Sequence, residues 1–133
     1  MAPASHASTA PEDHLGEYAL VERLGQGGMA ETFVGRRAGP GGFDQRVCVK
    51  RVLPLFRDDE EFVRLFLDEA RLTAGLAHVN VVQVVDFGET EHCPYLVLEL
   101  VRGVDLRRVL RTAATAGETL TSGVVAYLAH ELA

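Results

Sequence analysis

Three features of this sequence could do chemistry together. A glycine-rich run, Gly25-Gln26-Gly27-Gly28, stands between two segments of apolar and β-branched residues. Lys50 interrupts an otherwise apolar, alternating segment, and Glu69 falls on the apolar stripe of a helical one. Glycine lets backbone N–H groups approach phosphate oxygens where side chains would clash. A lysine ammonium adds a point charge for the same oxygens, and a carboxylate holds that ammonium in place. Taken singly, each feature is ambiguous: the glycines could be a plain hairpin turn, and the lysine a surface residue. The elements that carry them decide whether they meet.

Tyr18 to Leu24 reads as a first strand and Glu31 to Arg37 as a second, because β-branched and aromatic residues recur there. Gly39-Pro40-Gly41-Gly42 is a turn, and Gln45 to Leu53 alternates as a third strand. In that strand Val47 and Val49 point one way, and Cys48, Lys50 and Val52 the other. Asp58-Asp59-Glu60-Glu61 gives the acidic first turn that a helix dipole favours, and the helix runs to about Ala77. Its apolar stripe is Phe62, Leu65, Phe66, Leu72 and Leu76; Glu69 lies about 20° from Phe62 on the 3.6-residue period. A carboxylate buried in that stripe needs a cation, and Lys50 is the candidate. Val81 to Phe87 and Tyr95 to Leu100 are two further strands. A short helix starts near Asp105, and Thr121 or Ser122 caps a last one.

The connections are too short for parallel crossovers. The expected fold class is therefore α+β: a five-stranded antiparallel sheet with one packed helix, followed by further helices. A dinucleotide-binding fold would need a helix directly after the glycines, and a strand follows them here. The net charge of −6, without a basic block, disfavours nucleic-acid partners and membrane surfaces. No apolar run reaches the ~18 residues of a membrane span. Cys48 and Cys93 fit no metal spacing and read as reduced thiols of a cytoplasmic protein. Residues 1–15 lack the pattern of a signal peptide and read as a disordered leader.

Several segments now align with one family. Gly25-Gln26-Gly27-Gly28-Met29-Ala30-Glu31 resembles the glycine-rich loop of protein kinases, and Val47-Cys48-Val49-Lys50 resembles their Val-Ala-Ile-Lys strand. Asp68-Glu69-Ala70-Arg71 is similar to the part of the regulatory helix that carries the ion-pairing glutamate. His78-Val79-Asn80-Val81-Val82 is similar to the run after that helix, and Leu98-Glu99-Leu100-Val101 to the hinge between the lobes. The resemblance covers roughly Tyr18 to Ala133, and the Gly-Gly-Met loop points to bacterial-type serine/threonine protein kinases. It implies a small lobe and hinge over residues 16–101, and the start of an incomplete large lobe over residues 102–133.

The resemblance also implies roles. Lys50 would contact the α- and β-phosphates of ATP while Glu69 holds it, the two residues placed here in catalytic roles. Leu24, Gly25, Gln26, Gly27 and Gly28 would form the flap over the nucleotide, with Thr32 and Cys48 lining the adenine slot. Leu98 would gate the pocket behind it, backbone groups of Glu99 and Val101 would bond adenine, and Asp105 would meet the ribose. Protein substrates are the implied partner. Ala30 replaces the third glycine, Thr32 a valine, Cys48 an alanine and Val79 a proline, departures that imply weaker ATP binding. Asp86-Phe87-Gly88 spells the family's magnesium-binding tripeptide, but it precedes the hinge; it reads as a strand end and turn and holds no metal. Mg2+ is expected for the family, yet no His-Arg-Asp, following Asn or later Asp-Phe-Gly occurs after Leu100. The chain by itself is therefore expected to be inactive, as a fragment of a longer kinase. The alternative is a catalytically dead nucleotide-binding or scaffolding remnant.

Overall fold

The computed structural model describes residues 13–133. One antiparallel sheet is built from β1 (His14–Leu15), β2 (Tyr18–Gln26), β3 (Ala30–Ala38), β4 (Asp44–Val52), β5 (Val84–Thr90) and β6 (Cys93–Glu99). The strand order is β1-β2-β3-β4-β6-β5. Helix α1 (Glu60–Ala74) packs on the sheet, and α2 (Leu106–Thr115) and α3 (Ser122–Leu132) follow. Five long strands match the expected sheet, and β1 adds a sixth. Of the leader assigned to residues 1–15, residues 1–12 lie outside the described residues; His14 and Leu15 pair with Ala19 and Tyr18. Leu15 is buried, and that burial holds β1 to the sheet.

The two faces of the sheet carry different cores. On one face Leu15, Tyr18, Leu20, Val47, Val49, Tyr95 and Val97 bury one another. On the other, Val52 and Leu96 meet Phe66 and Ala70 of α1. The alternation expected for Val47 and Val49 against Cys48, Lys50 and Val52 is the alternation observed.

The edges of this curled sheet are tied together. Tyr18, in β2, donates its hydroxyl to Asp86 Oδ2 of β5 at 3.0 Å. Asp86 also accepts from the N–H of Phe87 at 2.8 Å. The tripeptide expected at a strand end instead lies inside β5, and the turn comes later, at Glu91 and His92, both with positive φ. Gly88 is inside the strand because a Cβ there would lie 2.3 Å from the Tyr95 ring. Gly16, at φ +57°, leaves room for the Tyr95 hydroxyl, which a Cβ there would meet at 2.3 Å.

Helix α1 is shorter than expected at its C-terminal end. Asp59 caps it by accepting from the N–H groups of Glu61 (3.0 Å) and Phe62 (3.3 Å). Gly75 closes it, with its N–H bonded to the carbonyls of Arg71 and Leu72 at 3.2 Å each.

Candidate functional site

The glycine run is the tip of the β2–β3 hairpin, so the structure keeps strand, loop and strand where a dinucleotide fold would place a helix. The turn is closed by Gly27 N–H donating to the Ala30 carbonyl at 2.7 Å, and Leu53 N–H fastens it to the end of β4 through the Met29 carbonyl at 2.8 Å. Two register shifts, between Leu20 and Glu22 and between Arg23 and Gly25, bend β2 as it approaches the turn. Among the described residues nothing requires glycine at the tip: a Cβ at Gly25 or Gly27 would meet only ordinary contacts, and at Gly28 none within 4 Å. None of the three has a positive φ. Bare backbone in open space suits a ligand that must come close to peptide N–H groups.

Lys50 lies on the face below this hairpin, and cross-strand register pairs it with Thr32 of β3 and Leu96 of β6. Its Nζ donates to Glu69 Oε1 of α1 at 2.6 Å, so the two residues singled out from opposite ends of the sequence pattern do meet. The environment differs from the expectation, however. The pair is not buried: the Lys50 side chain is 23% exposed and that of Glu69 52%. The helix buries Phe66 and Ala70, while Leu65, Leu72 and, beyond its end, Leu76 are exposed. The apolar stripe is thereby turned so that Glu69 sits about 80° from its centre on the 3.6-residue period. A half-exposed ion pair contributes at most ~1 kcal/mol to stability. What it does is aim the ammonium.

The other residues distribute as follows. Thr32, Cys48 and Leu98 share the Lys50 face, because register pairs Thr32 with Lys50 and Cys48 with Leu98. The Thr32 hydroxyl donates to the Gly25 carbonyl at 3.4 Å, across the hairpin. Burial, partly offset by Lys50, pushes the Cys48 thiol above its ordinary pKa, so it stays protonated. Leu24 is half exposed at the second register shift of β2, and the Gln26 side chain accepts from the Arg23 guanidinium. Glu99 closes β6 with its N–H donating to the Gln83 carbonyl at 3.0 Å, while its carboxylate accepts from Gln83 N–H at 3.0 Å. Val101 is exposed just beyond. The Asp105 carboxylate caps α2 by accepting from Arg108 N–H at 2.7 Å.

Two residues with a place in this arrangement were not singled out from sequence. Val34 pairs with Cys48 on the Lys50 face and is buried. Glu31, on the opposite face, is the one buried charged residue among those described. The i, i+2 alternation from Thr32 would have found Val34. Glu31 stands between Ala30 and Thr32 with no charged neighbour in sequence, and nothing in that stretch signals that two arginines from other strands bury it.

The donor set suits a polyphosphate better than a metal. One ammonium is held in place on β4, opposite Thr32, which in turn pairs with Gly25 of the hairpin. Among the described residues no group of three or more His, Cys, Asp or Glu side chains converges. Asp86, the family's metal ligand by spelling, accepts from the Tyr18 hydroxyl and from the Phe87 N–H. Asp86 is thus already engaged within the sheet, as a strand residue would be.

Known proteins resemble this chain in sequence and fold. A family model described as protein tyrosine and serine/threonine kinase matches residues 18–133. The tyrosine-protein kinase MasK of Myxococcus xanthus is 45% identical over 98 residues, covering 74% of this chain and 15% of MasK. The serine/threonine-protein kinase PrkC of Bacillus subtilis is 32% identical over 95 residues, covering 71% of this chain and 14% of PrkC. The chain thus spans about a seventh of the length of these relatives. Among solved structures, the kinase domain of PknI from Mycobacterium tuberculosis superposes with a TM-score of 0.71 at 26% identity, covering 93% of this chain and 47% of that one.

Proposed function

The chain belongs to the protein tyrosine and serine/threonine kinase family, and from that premise we propose that it is the ATP-binding portion of a serine/threonine protein kinase. The parent activity is transfer of the γ-phosphate of ATP to protein hydroxyls. The single observation that carries this reading is the 2.6 Å contact between Lys50 and Glu69 beneath a hairpin whose glycines the fold itself does not need.

The roles follow from position. Lys50, aimed by Glu69, holds the α- and β-phosphates, and the N–H groups of the turn cover them. Thr32, Val34, Cys48 and Leu98 line an apolar slot for adenine. The Glu99 carbonyl and Val101 N–H bond its edge, and Asp105 stands at the ribose end. Thr32 puts a hydroxyl where the family has a valine, and Ala30 stiffens the turn, so ATP binds more weakly than in relatives with those positions filled as usual. The aspartate that orients the acceptor hydroxyl and the side chains that hold Mg2+ are not among these 133 residues. The chain tested alone is therefore inactive. A cytoplasmic location belongs to the same reading, since ATP is the proposed substrate.

The test is radiolabel transfer from γ-labelled ATP by the full-length protein, with phospho-amino-acid analysis of the product. Phosphoserine and phosphothreonine are expected, and Lys50→Met is expected to abolish them. Phosphotyrosine alone would correct the acceptor class. ATP binding without any transfer would favour the alternative, a catalytically dead nucleotide-binding or scaffolding remnant.

A further inference from the structure

The sheet face opposite Lys50 carries a buried carboxylate that the nucleotide-facing side does not use. Glu31 directly follows the glycine turn, and its side chain is only 8% exposed. Both of its oxygens are engaged. Arg51 of β4 donates from Nε to Oε1 at 2.8 Å, and Arg23 of β2 brings a guanidinium nitrogen within 3.1 Å of Oε2. Arg51 also reaches Asp13 at 3.0 Å and lies 4.9 Å over the Phe33 ring. Arg23 donates in addition to the Gln26 side chain, inside the turn. One carboxylate thus cross-ties three strands at the root of the hairpin.

A buried ion network is poor evidence for stability, because desolvation offsets most of its attraction and apolar side chains of the same volume would serve as well. What charge-assisted, directional bonds add is geometry. That geometry is coupled to the site by register. Glu31 pairs with Arg51, and the next residues, Thr32 and Lys50, pair with each other. Alternation places the first pair behind the sheet and the second in front of it. Locking Arg51 to Glu31 fixes the strand pairing directly behind Lys50, while the Arg23 arm reaches forward to the turn.

We infer that Glu31 is a positioning residue for the glycine hairpin, anchoring it from behind and setting its height over Lys50. The consequence for ATP rests on the proposed function; the consequence for the hairpin does not. Removing the charge at residue 31 loosens the turn and weakens the grip on phosphates, leaving the adenine slot intact.

The experiment uses the full-length protein with three substitutions. Glu31→Gln keeps the shape and removes the charge. Arg23→Gln releases only the arm that reaches the turn, from a half-exposed position. Tyr18→Phe removes the bond to Asp86 elsewhere on the same face and serves as the stability control. Amide hydrogen exchange across residues 25–30 is expected to speed up about tenfold in Glu31→Gln and about threefold in Arg23→Gln, and to stay unchanged in Tyr18→Phe. The dissociation constant for ATP is expected to rise about fivefold in Glu31→Gln while that for adenosine, which has no phosphates, moves less than about twofold. Unchanged exchange of the turn in the folded variants, or equal losses for ATP and adenosine, overturns the inference. If Glu31→Gln does not fold, Arg23→Gln decides. A wild-type protein that binds no ATP counts against the proposed function, and hydrogen exchange, which needs no nucleotide, then decides the role of Glu31.

Discussion

The Lys50–Glu69 contact separates what holds a protein together from what makes it act. Both ends reach solvent, so the pair adds little to folding, yet it sets where the only ammonium on that face points. Glu69→Gln is accordingly expected to change unfolding free energy by less than ~1 kcal/mol and to weaken ATP binding by about tenfold. Calorimetric titration beside a denaturant melt checks both; a large stability loss with unchanged binding would reverse the assignment. Gly88 makes the opposite case. It spells part of a metal-binding tripeptide, but its role is to leave space for Tyr95. Gly88→Ala is expected to destabilise by about 1–3 kcal/mol, since either the ring or the strand must shift. Thermal unfolding reads that loss. The meeting of Lys50 and Glu69 was legible in the sequence because each broke an apolar pattern that pointed at the other. The burial of Glu31 was not, because it depends on β2 and β4 each bringing an arginine to β3, and one-dimensional spacing does not report cross-strand register.

Helix α1 decides whether that ammonium is aimed at all. Its beginning was readable from Asp58-Asp59-Glu60-Glu61, and Asp59 is the cap observed. Its buried face was harder to read, because Leu65, Leu72 and Leu76 look like core residues and are exposed. Periodicity finds every apolar side chain, but only packing chooses among them, and here the sheet accepts Phe66 and Ala70. A helix anchored by so few buried side chains is sensitive to losing one. Phe66→Ala is expected to cost about 3–5 kcal/mol. It is also expected to expose α1 to proteolysis before the sheet, with residues 60–74 losing amide protection first. Uniform loss of protection across sheet and helix would show instead that they unfold as one unit. The strands on either side of the Glu91–His92 turn teach a related lesson. Gly88 drew the expected turn three residues too early, because a glycine placed for close packing and one placed for a turn look alike in sequence.

At the scale of the molecule, the small-lobe sheet is internally satisfied, while the helices after it are not. The sheet closes on itself through Tyr18 and Asp86 and buries a core on both faces. By contrast, α2 and α3 contain no buried residue. What ties α3 to the lobe is polar: the Asn80 side-chain amide donates to the Glu131 carbonyl at 3.0 Å and to its carboxylate at 2.6 Å. Val124, Val125, Tyr127 and Leu132 remain exposed around that helix, and Val104, Leu106 and Leu110 around the segment before it. Apolar surface of this extent drives association when nothing covers it. The purified 133-residue chain is therefore expected to form concentration-dependent oligomers in sedimentation velocity and to melt broadly. Replacing Val125 and Tyr127 by lysine should shift it toward monomer without altering the exchange protection of β4 and β6, because those side chains contribute nothing to either core. A wild-type chain that sediments as a single monomer across a hundredfold concentration range, with a sharp melt, would mean that the exposed faces fold back on one another in solution. The division between a self-sufficient sheet and dependent helices would then be wrong.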